Sequence, residues 1–90
     1  MKTVPIQQAT KLTDIPGVGK SIAADLTRLG YTKPSDLKGE NPQAMYERHM
    51  TEVGSYVDRC VLYVFRGAVY YASTPQPEPE KLLWWNWKDK

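Results

Sequence analysis

Ninety residues with 41% apolar and 24% charged content predict one folded domain and exclude two full domains, a large enzyme architecture and wholesale disorder. The formal net charge of +2 is too mild to dictate a partner. No stretch approaches 18 apolar residues, residues 1–10 lack the apolar segment of a secretory signal, and Cys60 is the only cysteine; the expectations are a cytoplasmic, membrane-free chain with no disulfide, thiolate-bound metal or cofactor.

Charge is distributed unevenly. Residues 1–39 hold six basic and three acidic groups, whereas residues 40–90 hold six and seven. A polyanion should therefore meet the N-terminal half first.

Ile6, Ala9 and Leu12 recur at three-residue steps and predict a short helix ending before Asp14 and Pro16. Gly17-Val18-Gly19 follows as a tight turn in which positive φ is expected. Ile22, Ala23, Leu26 and Leu29 then step down one face of a helix of about eleven residues, with Gly30 at its end. Thr32, Pro34 and Ser35 open a single helical turn that ends at Gly39 and points Leu37 inward. Asn41 and Pro42 read as N-cap and first residue of a helix that turns Met45, Tyr46, His49 and Met50 to the core and stops at Gly54.

The longest periodic signal spans Tyr56 to Ala72. Val57, Cys60, Val61, Val64, Phe65, Ala68, Val69 and Ala72 form one apolar stripe at helical spacing, and seventeen residues exceed normal strand length. Beyond Ser73, prolines at 75, 77 and 79 predict an extended spacer, followed by a tail bearing Trp84, Trp85 and Trp87. No internal repeat with a period of 20 to 50 residues stands out. The expected architecture is all-α: a compact helical domain over residues 1–73, with residues 74–90 as a spacer and tail packed on it.

The chemistry concentrates at the first turn. A glycine-rich turn opening into a helix N-terminus leaves amide N–H groups aimed outward, and the helix dipole and the Lys20 ammonium add attraction for an anion. Gly17, Gly19, Lys20 and Ser21 are the candidate phosphate-binding residues, with Lys11 and Arg28 as candidate extensions. Gly19-Lys20-Ser21 also closes the P-loop pattern, but Asp14 stands where its first glycine belongs and no parallel sheet fits.

Elsewhere, Arg59, Tyr63, Arg66 and Tyr70 make a basic and aromatic stripe. It reads either as cation–π cover between neighbouring turns, the favoured reading, or as a secondary DNA contact through Arg59 and Arg66. His49 and Cys60 are a conceivable base and nucleophile, but Cys60 lies within the apolar stripe and is expected to be a buried core thiol. No catalytic residue is assigned. Trp84, Trp85 and Trp87 are read as cover for a small core, with base stacking or a protein anchor as alternatives.

The segment from Leu12 to Leu26 resembles the helix-hairpin-helix motif of DNA-repair and replication proteins, which grips DNA backbone without reading sequence. Residues 37–42 resemble a degenerate second hairpin lacking the paired glycines and carrying Glu40. The whole chain resembles the bacterial pathogenicity-locus family, small helix-hairpin-helix proteins often labelled mitomycin resistance proteins. That resemblance rests on residues 14–20, 58–72 and 84–88. The first block is also similar, more distantly, to the C-terminal domain of the competence regulator TfoX. The resemblance implies non-specific DNA binding, linked to DNA damage or repair; the alternative function is a protein-interaction or self-association module anchored by the tail.

Overall fold

A computed structural model describes residues 9–75 together with Glu78, Lys81 and Trp87. The predicted N-terminal helix falls partly outside these residues, and within them Leu12–Asp14 form only a 3-10 turn. Three α-helices follow: α1 over Lys20–Arg28, α2 over Pro42–Val53 and α3 over Arg59–Ser73, with a second 3-10 turn at Pro34–Leu37 between the first two. Among the described residues there is no strand, so the fold is all-α.

Local chemistry accounts for the boundaries. The Asn41 side chain accepts from the amides of Gln43 and Ala44 at 2.9 and 3.2 Å, and Pro42 occupies the first helical position, where no N–H is needed. The Asp58 carboxylate likewise accepts from the Cys60 amide at 2.8 Å and starts α3 three residues later than the hydrophobic pattern begins. The Cys60 amide bond, and behind it a bond from the Cys60 side chain, hold the Asp58 carboxyl below its ordinary range. At the far end of α1, Gly30 and Tyr31 donate to Thr27 and Leu26, closing the helix.

The core is assembled from all of these pieces. Leu26 of α1 and Leu29 at its C-cap, Met45 and Tyr46 of α2, and Leu62, Phe65, Ala68, Tyr71 and Ala72 of α3 are buried together with Leu12, Ile15, Val18 and Leu37 from the turns. The α1–α2 connection is tied by polar bonds as well. Arg48 Nη2 donates to the Leu29 carbonyl at 2.6 Å, and the Tyr31 hydroxyl donates to Glu40 Oε1 at 2.7 Å. The Arg48 cation also favours the C-terminal end of the α1 dipole. The Tyr46 hydroxyl reaches the Val57 carbonyl and fastens the α2–α3 loop. Burial and the neighbouring Tyr56 push the Tyr46 hydroxyl above its usual range.

Two expectations are corrected here. Cys60 is exposed rather than buried. The buried face of α3 is rotated toward Leu62 and Tyr71, and two residues along a helix turn a side chain by about 200°, which carries Cys60 to the opposite face from Leu62. His49 is the buried partner of the supposed pair, and it faces elsewhere: its Nε2 stands 3.6 Å from Asp25 Oδ2 and its ring meets Phe65 edge-on at 6.1 Å.

The second correction concerns repetition. Residues 10–17, Thr-Lys-Leu-Thr-Asp-Ile-Pro-Gly, recur 22 positions later as Thr-Lys-Pro-Ser-Asp-Leu-Lys-Gly over residues 32–39. The two copies have the same structure. Asp14 Oδ2 accepts from the Thr10 and Lys11 amides, and Asp36 Oδ2 accepts from the Thr32 and Lys33 amides. Ile15 and Leu37 are buried at matching positions, and Gly17 and Gly39 have φ of 85° and 75°. Each copy leads into an α-helix after the same number of residues. Four of the eight positions are identical, the Thr-Lys pair, the Asp and the Gly, while Thr13/Ser35 and Ile15/Leu37 exchange within their classes.

Candidate nucleic-acid interface

The first turn separates its apolar and polar residues cleanly. Leu12, Ile15 and Val18 are buried, whereas Gly17, Gly19, Lys20 and Ser21 are exposed. Val18 donates to the Ile15 carbonyl at 3.0 Å with Pro16 and Gly17 between them. A proline followed by a glycine at φ 85° is the sequence of a type II turn, and a side chain at that glycine would be strained. The turn is therefore anchored from below and bare above.

Gly19 is the N-cap of α1, and no side chain caps that helix, unlike α2 and α3. Its φ of −90° and ψ of −174° are extended backbone, and an added Cβ would meet nothing within 4 Å. The expectation of positive φ therefore holds for Gly17 and not for Gly19. Neither backbone geometry nor packing requires a glycine at position 19. Its consequence is to leave the first amides of α1 open, with the Lys20 and Ser21 side chains exposed beside them.

The remaining candidates divide by location. Lys11 is exposed on the flanking 3-10 turn, and its charge helps to hold the Asp14 carboxyl below its ordinary range, behind the larger effect of the Lys11 and Thr10 amide bonds. Arg28 stands at the other end of α1, about 12 Å along the axis from Lys20, and pairs with Asp25 at 2.9 Å. Arg59 and Arg66 belong to α3. The Arg59 guanidinium lies 6.0 Å from the ring centres of both Tyr46 and Tyr63, and that of Arg66 lies 5.6 Å from Tyr63. The stripe on α3 is thus a cation–π ladder within the protein, as the favoured reading had it.

The tail contributes one described tryptophan. Trp87 lies on α3: its ring centre is 5.5 Å from that of Tyr70, its carbonyl accepts from Arg66 Nη1 at 2.6 Å, and a Cβ on Gly67 would stand 3.4 Å from its Nε1. Trp84 and Trp85 lie outside the described residues. Sequence reasoning missed a groove of about 540 Å³ at the end of α3, lined in part by Pro42, Tyr70 and Trp87. Its lining comes from three separate stretches of chain, which no local spacing brings together.

Among the described residues no helix is long and apolar enough to cross a membrane. No solved structure matches the chain. The mitomycin resistance protein McrB of Streptomyces lavendulae is 32% identical over 76 residues, which span 84% of this chain and 69% of that protein. The sequence profile of the Cdd1 family, described as pathogenicity locus, matches residues 5–90 and so runs through both glycine turns and the tryptophan tail. The chain therefore belongs to the pathogenicity-locus family.

Proposed function

We propose that this protein binds DNA without sequence specificity, through phosphate contacts at a helix-hairpin-helix turn formed by Gly17, Gly19, Lys20 and Ser21. The observation that carries the reading is the uncapped start of α1 behind a glycine that the fold itself does not need. Open amides, the positive end of the helix dipole and an exposed ammonium together suit a phosphate oxygen. Such contacts fix a backbone and read no base. Lys11 extends this footprint; Arg28, Arg59 and Arg66 are committed to contacts within the protein. The reading requires no catalysis. The Streptomyces relative is named for mitomycin resistance, and we infer a link to DNA damage from that name.

One to three neutralised phosphates give a Kd on the order of 10⁻⁴ to 10⁻⁶ M at physiological salt. Fluorescence anisotropy of a labelled duplex at about 50 and about 200 mM salt tests the reading. Lys20→Glu is expected to weaken binding equally for all sequences and to lower the salt slope by about one. A sequence-dependent loss, or no loss, would overturn it. A second reading, a protein-docking module, is favoured by Tyr56 and Val53, which are 75% and 50% exposed on the α2–α3 side of the molecule. Light scattering that shows concentration-dependent mass would support self-association through that surface.

A further inference from the structure

The groove at the end of α3 is walled by Pro42, Val69, Tyr70, Thr74 and Trp87. Its volume of about 540 Å³ lies in the range of small-molecule sites. Among the described residues of the lining, Arg66 is the one ionic residue and there is no carboxylate. The rings of Tyr70 and Trp87 meet at 48°, splayed rather than stacked in parallel. Trp87 is held in place through its indole N–H, which donates to the Lys81 carbonyl at 2.5 Å, and through the Arg66 bond to its carbonyl.

The groove opens beside the second glycine turn. Ser73, also in its lining, accepts a hydrogen bond from the Gly39 amide at 3.1 Å, and Pro42 is the first residue of the helix that follows that turn. This second turn repeats the first in backbone but not in donors. Asn41 Oδ1 already occupies the Gln43 and Ala44 amides, and Pro42 has no N–H, so a phosphate finds little to bind there. What the second turn offers is an exposed Lys38 and the adjacent aromatic groove.

We infer that this groove takes an unpaired nucleobase of a single-stranded DNA segment whose backbone passes Lys38, an inference that rests on the DNA-binding reading of the first turn. Aromatic faces receive any base, which suits a protein that does not read sequence. The Ser73 and Thr74 hydroxyls give polar partners to the base edge. A base inside a duplex is paired and stacked and does not enter such a groove without unstacking. The two turns thus divide the work: the first holds phosphate, the second holds a base.

The test compares anisotropy titrations of a labelled thymidine oligonucleotide and a labelled duplex with the wild type, Trp87→Ala, Thr74→Trp and Lys20→Glu. Thr74→Trp fills the groove from a half-buried position just past α3, so it guards against Trp87→Ala failing through misfolding, which circular dichroism reads directly. The wild type is expected to prefer the single strand, and each groove variant to lower single-strand affinity by about 10-fold, one stacked base, with duplex affinity unchanged. An unchanged ratio of single-strand to duplex affinity in a folded Thr74→Trp protein overturns the groove assignment and leaves the first turn untouched. Equal loss of both DNAs in Lys20→Glu supports the first turn; no loss there overturns it, independently of the ratio. Thymidine monophosphate competing as well as the oligonucleotide would overturn a strand as the occupant, and no binding to either DNA overturns both assignments.

Discussion

At the scale of single residues, Gly19 carries the sharpest test of what the first turn is for. Its backbone is extended and its Cβ direction is open, so an aspartate fits there without strain. An aspartate N-cap would satisfy an open amide and favour the helix dipole, adding a few tenths to about 1 kcal/mol of stability. The same carboxylate would occupy the phosphate position. Gly19→Asp is expected to raise the urea midpoint while lowering DNA affinity by at least about tenfold, a loss of 1.4 kcal/mol, and a variant that gains stability and keeps its affinity would argue that the turn is architectural. The glycine pair was legible from sequence, but the distinct role of each was not. Gly17 answers to backbone strain and Gly19 to open space, and only coordinates separate the two. Cys60 teaches the converse: its spacing places it in the apolar stripe, but the packing of α3 turns it outward.

At the scale of elements, the duplicated turn makes the two aspartates equivalent. Asp14 and Asp36 each accept two backbone amides, Asp36 the Thr32 hydroxyl as well, and these bonds hold both carboxyls below their ordinary value of 3.8. A carboxyl depressed in the folded state contributes stability that is present above its unfolded value and is lost as pH falls through the folded one. Urea midpoints are therefore expected to be flat above about pH 5 and to fall below about pH 4, with a shallower fall in an Asp14→Asn, Asp36→Asn double variant. An identical acid limb in that variant would remove these caps as its cause. Three elements were visible in the sequence because each carries its own start signal, Gly19, Asn41 with Pro42, and Pro34 with Ser35; α3 was visible by the length of its stripe, though not by its start at Asp58. The repeat is only eight residues long, and the matching amide bonds to Asp14 and Asp36 are what show its copies to be equivalent.

At the scale of the whole molecule, stability depends on α3. Phe65 is fully buried and sits where α3 meets α2, its ring against His49. A domain of this size has about 5–13 kcal/mol to lose, and truncating a buried phenylalanine costs about 3–5 kcal/mol. Phe65→Ala is expected to lower Tm steeply and to abolish DNA binding only through unfolding, so that binding measured well below the new Tm returns toward wild type. Binding lost in a folded Phe65→Ala protein would place α3 in the interface directly.

The sequence by itself determined that the fold is all-α, that helices follow Gly19 and Asn41, and that the first turn is rich in glycine and exposed polar residues. Those properties arise from neighbours within four residues: a cap, a proline, a glycine, a dipole. Tertiary structure decided which face of α3 is buried, that Arg28, Arg59 and Arg66 are engaged within the protein, and that Pro42, Thr74 and Trp87 line one groove. Burial and side-chain pairing depend on residues tens of positions apart, and the free energy of packing, not local spacing, selects among the rotations each helix would otherwise allow.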